Sequence, residues 1–159
     1  MNLLVEELGA GMPDLREVAR VSLRLIFAMI VGGVIGYERE RAGKPAGLRT
    51  HMLVSVGAAI FVIVPMQLRF DSDDLSRIIQ GLVTGIGFLG GGAILKEHDK
   101  GYVEGLTTAA GIWLTAGLGV AVGLGAIGIA LLCVVLAWVI LTAMYSFEER
   151  LKRQAPNSH

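Results

Sequence analysis

Cysteine is almost absent from this sequence. Cys133 stands alone, which rules out an intrachain disulfide and any metal cage built from cysteines. Charge is also scarce: 18% of the 159 residues are charged, where a soluble domain carries about 25%. The charges that exist are clustered, leaving long stretches with none. The first twelve residues hold Glu6 and Glu7 but no Lys or Arg, unlike the basic start of a secretory signal peptide. The first apolar segment is therefore expected to stay as an anchor. HExxH, GxSxG and Walker A motifs are missing, and no carboxylate lies mid-segment where a proton relay would need one. No enzyme, no cofactor and no nucleic-acid partner is expected.

What is present is apolar. Hydrophobic residues make up 53% of the chain and its mean hydropathy is +0.64, which points to an all-α polytopic membrane protein embedded in the lipid bilayer. Five transmembrane helices are predicted at about 18–37, 50–68, 75–95, 106–122 and 124–145, within a membrane domain over 1–145. A short charged cytoplasmic tail, frayed from Ser146, is expected over 146–159. Pro13 and Asp14 suit the start of the first helix, and Pro65 is expected to kink or end the second. Lys and Arg divide nine against five between the two ends of such a bundle. By the positive-inside rule, the connection around Arg39 to Arg49, the one around Lys96 and Lys100, and the C-terminus are expected in the cytoplasm, with the N-terminus outside.

Glycine is abundant and patterned. Gly33 and Gly91, Gly32 and Gly90, Gly47 and Gly105, and Thr50 and Thr108 are all 58 positions apart. The spacing predicts two copies of one hairpin, helices 1–2 and 3–4, as parallel repeats about an axis along the membrane normal. Gly85-Ile-Gly-Phe-Leu-Gly90 matches GxGxxG, but it lies inside an apolar segment and lacks the strand and acidic residue of a dinucleotide site. Helix packing explains it better. Gly32/Gly36, Gly81/Gly85, Gly87/Gly91 and Gly119/Gly123 are each one turn apart, the spacing that lets helices approach closely in lipid. Whether these faces meet within one chain or between two stays open, and a homodimer or other homo-oligomer is expected.

Two charge clusters are candidate sites. Glu38, Arg39, Glu40, Arg41, Lys44, Arg49 and His51 crowd one predicted loop, with Glu97, Asp99, Glu104, Thr107 and Thr108 in the second copy. One reading is a solvated positive-inside anchor; the other is a shaped loop. Pro45 fixes one φ angle, Gly43 and Gly47 permit unusual ones, and Arg49, Thr50 and His51 sit at a helix N-terminus, which favours an anion. A phosphate, an anionic lipid headgroup or a partner's carboxylate would fit there, while His51 reads as a hydrogen-bonding residue rather than a metal ligand. Thr107 and Thr108 read as caps or back-bonded hydroxyls. On the other side, Asp71, Asp73 and Asp74 precede the third helix. Capping by Ser72, Asp73 or Asp74 is one reading and a weak Mg²⁺ site another. A third pairs the aspartates with Arg24, Arg20 or Arg77, so that Arg24 ties helix 1 to helix 3.

The chain resembles the MgtC/SapB family of bacterial membrane proteins. Gly36-Tyr-Glu-Arg-Glu40 and Lys44-Pro-Ala-Gly-Leu-Arg-Thr-His51, running into Val56-Gly-Ala-Ala-Ile-Phe61, carry the likeness first. Asp74, Arg77-Ile-Ile, Gly85-Ile-Gly-Phe-Leu-Gly90 and Gly105-Leu-Thr-Thr-Ala-Ala110-Gly-Ile-Trp113 continue it, over roughly 18–145. The resemblance implies a multi-pass inner-membrane protein linked to magnesium homeostasis and, in some pathogens, to virulence. Partners such as ATP synthase or transporters are implied, and a soluble ACT-like C-terminal domain of longer members is expected to be lacking. Binding or regulation of membrane components is the leading expectation; a Mg²⁺ transporter or channel with its path between the two hairpins is the alternative.

Overall fold

The computed structural model describes residues 14–96 and 103–154. Among the described residues five helices make the fold: α1 Leu15–Arg41, α2 Leu48–Gln67, α3 Ser72–Gly92, α4 Leu106–Gly123 and α5 Ile127–Gln154. A two-residue antiparallel pair, β1 Leu95–Lys96 with β2 Val103–Glu104, is the one departure from all-α among the described residues. Glu97, Asp99 and Lys100 lie outside them, as do Glu6, Glu7 and Pro13.

Three helices, α1, α2 and α4, are long and apolar enough to cross a membrane, and Ile127–Ala143 of α5 is a shorter apolar stretch. The third predicted span does form a helix, but Arg77, Gln80 and six glycines dilute its apolar content and it falls outside that group. Predicted and observed boundaries differ most at charged ends. Glu38–Arg41 belong to the last turn of α1 and Arg49–His51 to the first turn of α2, so the connection shrinks to Ala42–Gly47. Likewise α5 continues as helix to Gln154 instead of fraying at Ser146. Pro65 stands near the C-terminal end of α2, which runs through it to Gln67.

The core follows the helical periodicity of α1. Ala28, Val31, Gly32, Ile35 and Gly36 form one buried stripe at three- and four-residue spacing. Against it pack Ala59 and Ile63 of α2, Leu118 and Val122 of α4, and Ala130, Val134 and Ala137 of α5. Close approach is possible because glycines leave room. A Cβ on Gly32 would lie 2.5 Å from the His51 carbonyl oxygen, and one on Gly36 would lie 2.7 Å from Leu48 Cα. On α4, Gly119 is pressed against the Ser55 carbonyl, and a Cβ on Gly123 would lie 2.9 Å from the Ala59 carbonyl oxygen.

These contacts fix helix directions. Gly36 meets Leu48 while Gly32 meets His51 and Ser55, so α1 and α2 are antiparallel. Gly111, Gly119 and Gly123 meet His51, Ser55 and Ala59 in rising order, so α2 and α4 run parallel. The end of α1 and the starts of α2 and α4 therefore share one end of the bundle. By contrast, only Ile86 and Gly90 of α3 are buried. Among the described residues, nothing beyond α3's own backbone lies within 4 Å of where a Cβ would stand on Gly81, Gly85, Gly87 or Gly91. Between the two alternatives left by the spacing, these four glycines do not make the close intrachain approach that Gly32, Gly36, Gly119 and Gly123 make.

Candidate functional site

At the shared end, the buried stripe of α1 changes from apolar to charged without leaving the interior. Three and four residues beyond Ile35 stand Glu38 and Arg39, only 7% and 3% exposed, with the Arg39 guanidinium paired to the Glu38 carboxylate. Burying an ion pair costs desolvation that its attraction offsets only in good geometry. The pair is therefore part of the packing, not a solvated anchor.

His51 is fully buried beside it. Its Nδ1 lies 3.0 Å from the Gly47 carbonyl oxygen. A carbonyl can only accept, so Nδ1 carries the proton, and in the neutral ring Nε2 presents a lone pair. That Nε2 is buried and has no hydrogen-bond partner. It stands in the notch left by Gly111, where a Cβ would lie 3.3 Å from His51 Nε2 and 3.9 Å from Arg39 Cδ. Ser55 Oγ and Thr108 Oγ1, also buried, share the lack of a partner. A polar group left so costs roughly 1–3 kcal/mol, so three together at the α1–α2–α4 junction require an account.

The N-terminus of α2 does attract an anion, and the anion is internal. Glu40 Oε2 accepts from the Leu48 N–H at 2.9 Å, reaching across from the last turn of α1. This carboxylate takes one of the free N–H groups at the terminus where the sequence suggested a phosphate, a lipid headgroup or a partner's carboxylate. Gly47 is needed there for space, not for an unusual φ: its φ is −103°, and a Cβ would lie 2.8 Å from Glu40 Oε2. Arg41, Pro45, Arg49 and Thr50 remain exposed and Lys44 is half-buried, so the charged cluster divides into an inner part and an outer part. Pro45, Ala46 and Thr50 also line a cavity of about 390 Å³ with Phe88, Gly92, Thr108 and Ile112.

In the second copy Glu104 lies exposed in β2, Thr107 is exposed, and neither threonine caps α4. The N-cap is Gly105, with φ +95° and no side-chain bond, pressed against the Ala93 carbonyl. That left-handed turn leaves Thr108 in the first turn of α4, with no carbonyl of α4 itself four residues earlier for its hydroxyl to bond.

The far-end charges separate. Asp71, rather than Ser72, Asp73 or Asp74, caps α3: its Oδ1 accepts from the N–H groups of Asp73 at 3.0 Å and Asp74 at 2.9 Å. Arg24 does not tie α1 to these aspartates. It donates to the Gly123 carbonyl at 2.8 Å, capping the C-terminus of α4 beside Gly125, whose φ is +87°. Helix carbonyls at a C-terminus attract a cation as a carboxylate would, and Arg24 lies within reach of these. Arg20 and Arg77 are exposed. Among the described residues no three His, Cys, Asp or Glu side chains group so as to hold a metal ion, and Asp71, Asp73 and Asp74 are all exposed, with Asp71 engaged as the cap. Ser55 and Gly111 were missed in the sequence; a four-residue step from His51, and three from Thr108, would have found them.

An apolar helical bundle with spans long enough for a bilayer, and with charge built into one end of its packing, defines a polytopic membrane protein. Residues 25–150 match the MgtC family model, and the chain belongs to the MgtC family. Protein SrpB of Synechococcus elongatus is 50% identical over 116 residues, covering 66% of this chain and 64% of SrpB. The putative magnesium transporter YhiD of Escherichia coli is 40% identical over 140 residues, covering 84% of this chain and 64% of YhiD. Protein MgtC of Salmonella typhimurium is 48% identical over 103 residues, covering 65% of this chain and 43% of MgtC. The chain thus spans less than two thirds of the length of these curated relatives. No solved structure matches it.

Proposed function

We propose that this protein is a non-enzymatic component of a bacterial inner membrane that serves magnesium homeostasis by binding or regulating other membrane components. The observation that carries the reading is the division of the charged end. Glu38, Arg39 and His51 are buried and Glu40 is bonded to α2, which holds Arg41, Arg49 and Thr50 outward on a fixed frame. A rigid, exposed, charged rim suits contact with partner proteins or lipid headgroups. The magnesium link rests on family membership and on the likeness to YhiD, itself a putative magnesium transporter.

In this reading the five helices all span the bilayer, with the N-terminus outside and the C-terminus in the cytoplasm. Helices α1–α2 and α3–α4 form two parallel hairpins. The parallel course of α2 and α4 supports that arrangement. So does one pair of contacts at the same offset: Gly32 meets His51, and Gly90 meets Ala109, each member 58 positions on. The exposed glycines of α3 are assigned to a homodimer or higher homo-oligomer, whose helices would fill the apolar groove of about 700 Å³ between α2 and α3.

Mg²⁺ flux into proteoliposomes holding folded, inserted protein tests the reading. Flux no greater than in empty vesicles, with growth at low Mg²⁺ lost in Arg49→Ala, is the expected result. Saturable flux would overturn it in favour of a cation path between the hairpins.

A further inference from the structure

Three buried polar atoms without partners share one seam. His51 Nε2 faces Gly111 of α4 with Arg39 of α1 alongside, Ser55 Cβ lies against Gly32 of α1, and Thr108 stands three residues before Gly111, so Thr108 Oγ1, His51 Nε2 and Ser55 Oγ all belong to the α1–α2–α4 junction. Their isolation is not the habit of this chain's hydroxyls. Thr84, Thr115 and Thr142 each donate to the carbonyl four residues earlier, at 2.9, 2.8 and 2.7 Å. That is the usual way a helix absorbs a hydroxyl in an apolar setting. Thr108 has no such carbonyl within its own helix, because α4 begins at Leu106. Ser55 has one, on His51, and does not use it.

Their order along the seam matters. Thr108 is outermost and also lines the 390 Å³ cavity at the charged end, beside Thr50 and Pro45. His51 comes next, at the level of Gly111, and Ser55 lies deeper, its carbonyl against Gly119. Thr108 to Gly119 spans roughly 16 Å of helix at 1.5 Å per residue. Beyond that the seam is closed by Ala59, Ile63, Leu118 and Val122, all apolar and buried. The polar stretch thus adjoins that cavity, through Thr108, at one end and meets an apolar plug at the other. His51 Nε2 offers a lone pair, and the two hydroxyls can each give and accept a bond. That set fits water, which settles where two to four polar partners surround it.

We infer that the α1–α2–α4 seam is a dead-ended water inlet, entered past Thr108 from the Glu38–Arg39 end, that hydrates His51 Nε2 and Ser55 and stops at Ala59. The inlet rests on the membrane placement of these helices and not on the magnesium reading, so either can fail alone. It gives His51 an aqueous proton supply from one side of the bilayer only.

Solid-state NMR on isotopically labelled protein in bilayers, with magnetisation started on bulk water, tests this directly. Transfer into the His51 ring and Ser55 is expected to build up severalfold faster than into Val62 or Ile63. In Thr108→Val, which keeps shape and removes the hydroxyl, transfer into His51 slows while that into the exposed Thr50 stays unchanged. His51→Gln identifies the ring signal against His98 and His159. Build-up at His51 no faster than at Val62 would overturn the inlet. Equally fast build-up at Val62 and Ile63 would overturn its dead end, and an unchanged rate in Thr108→Val would overturn the route.

Discussion

Positions 58 apart receive opposite treatment in the two halves of the molecule. Gly32 of α1 is locked onto α2, where a Cβ would lie 2.5 Å from the His51 carbonyl oxygen. At Gly90 of α3 the same atom would lie 3.7 Å from Ala109, an ordinary contact. The first pair of helices buries an ion pair and a histidine at its closed end; α3 buries only Ile86 and Gly90. Glycine spacing alone therefore does not state how tightly two helices meet. The partner decides: α2 presents backbone to α1, whereas α3 meets α2 and α4 through side chains such as Leu82 and Ile86 and leaves most of its surface exposed.

The largest way to break the contrast is at the buried pair. Glu38→Ala leaves Arg39 uncompensated and is expected to cost about 3–5 kcal/mol of stability, measured as unfolding in detergent micelles. The double replacement Glu38→Leu with Arg39→Met should regain most of that loss, and a single variant no weaker than the double would show that the pair is not desolvated. Next in size, Gly32→Ala should cost about 1–3 kcal/mol by overpacking against backbone. Gly90→Ala should stay within about 0.5 kcal/mol of the parent protein. Equal losses at the two positions would erase the difference between the hairpins.

Caps give a smaller comparison. Glu40→Ala and Asp71→Ala should each cost about 1 kcal/mol, but amide exchange should separate them. Loss of Glu40 speeds exchange in both α1 and α2, because it joins them, whereas loss of Asp71 is felt only in the first turn of α3. The smallest effect on monomer stability is expected at Gly85→Leu, where a Cβ would stand in open space at the apolar groove between α2 and α3. Its expected outcome is loss of the oligomer in cross-linking, with the unfolding midpoint unchanged; an oligomer that survives would leave α3 facing lipid.

The helices, their order and the tight pairs Gly32/Gly36 and Gly119/Gly123 were legible from hydrophobic runs and spacing, because both patterns are local. The family resemblance was legible too, in the motifs from Gly36 to Trp113. What escaped is non-local. Arg24 reads as a cation in search of a carboxylate, but the acceptor is a helix-end carbonyl 99 residues away. Glu38 and Arg39 read as loop charges because charge usually ends a span, yet the stripe from Ala28 through Ile35 runs on into them. Asp71 rather than its neighbours caps α3, a one-residue difference that composition does not resolve.

The bond from Leu48 N–H to Glu40 closes a loop of only eight residues, which bears on how the chain is made. Short loops close early and at little entropic cost. The first hairpin has what it needs to seal as soon as α2 leaves the ribosome, before α3 exists. The seam that α4 later fills is then already formed, while α3 emerges in between and finds no place in it. Order of synthesis and final position agree: the helix made third is the one left at the margin, and the helix made fourth is the one that completes the interior.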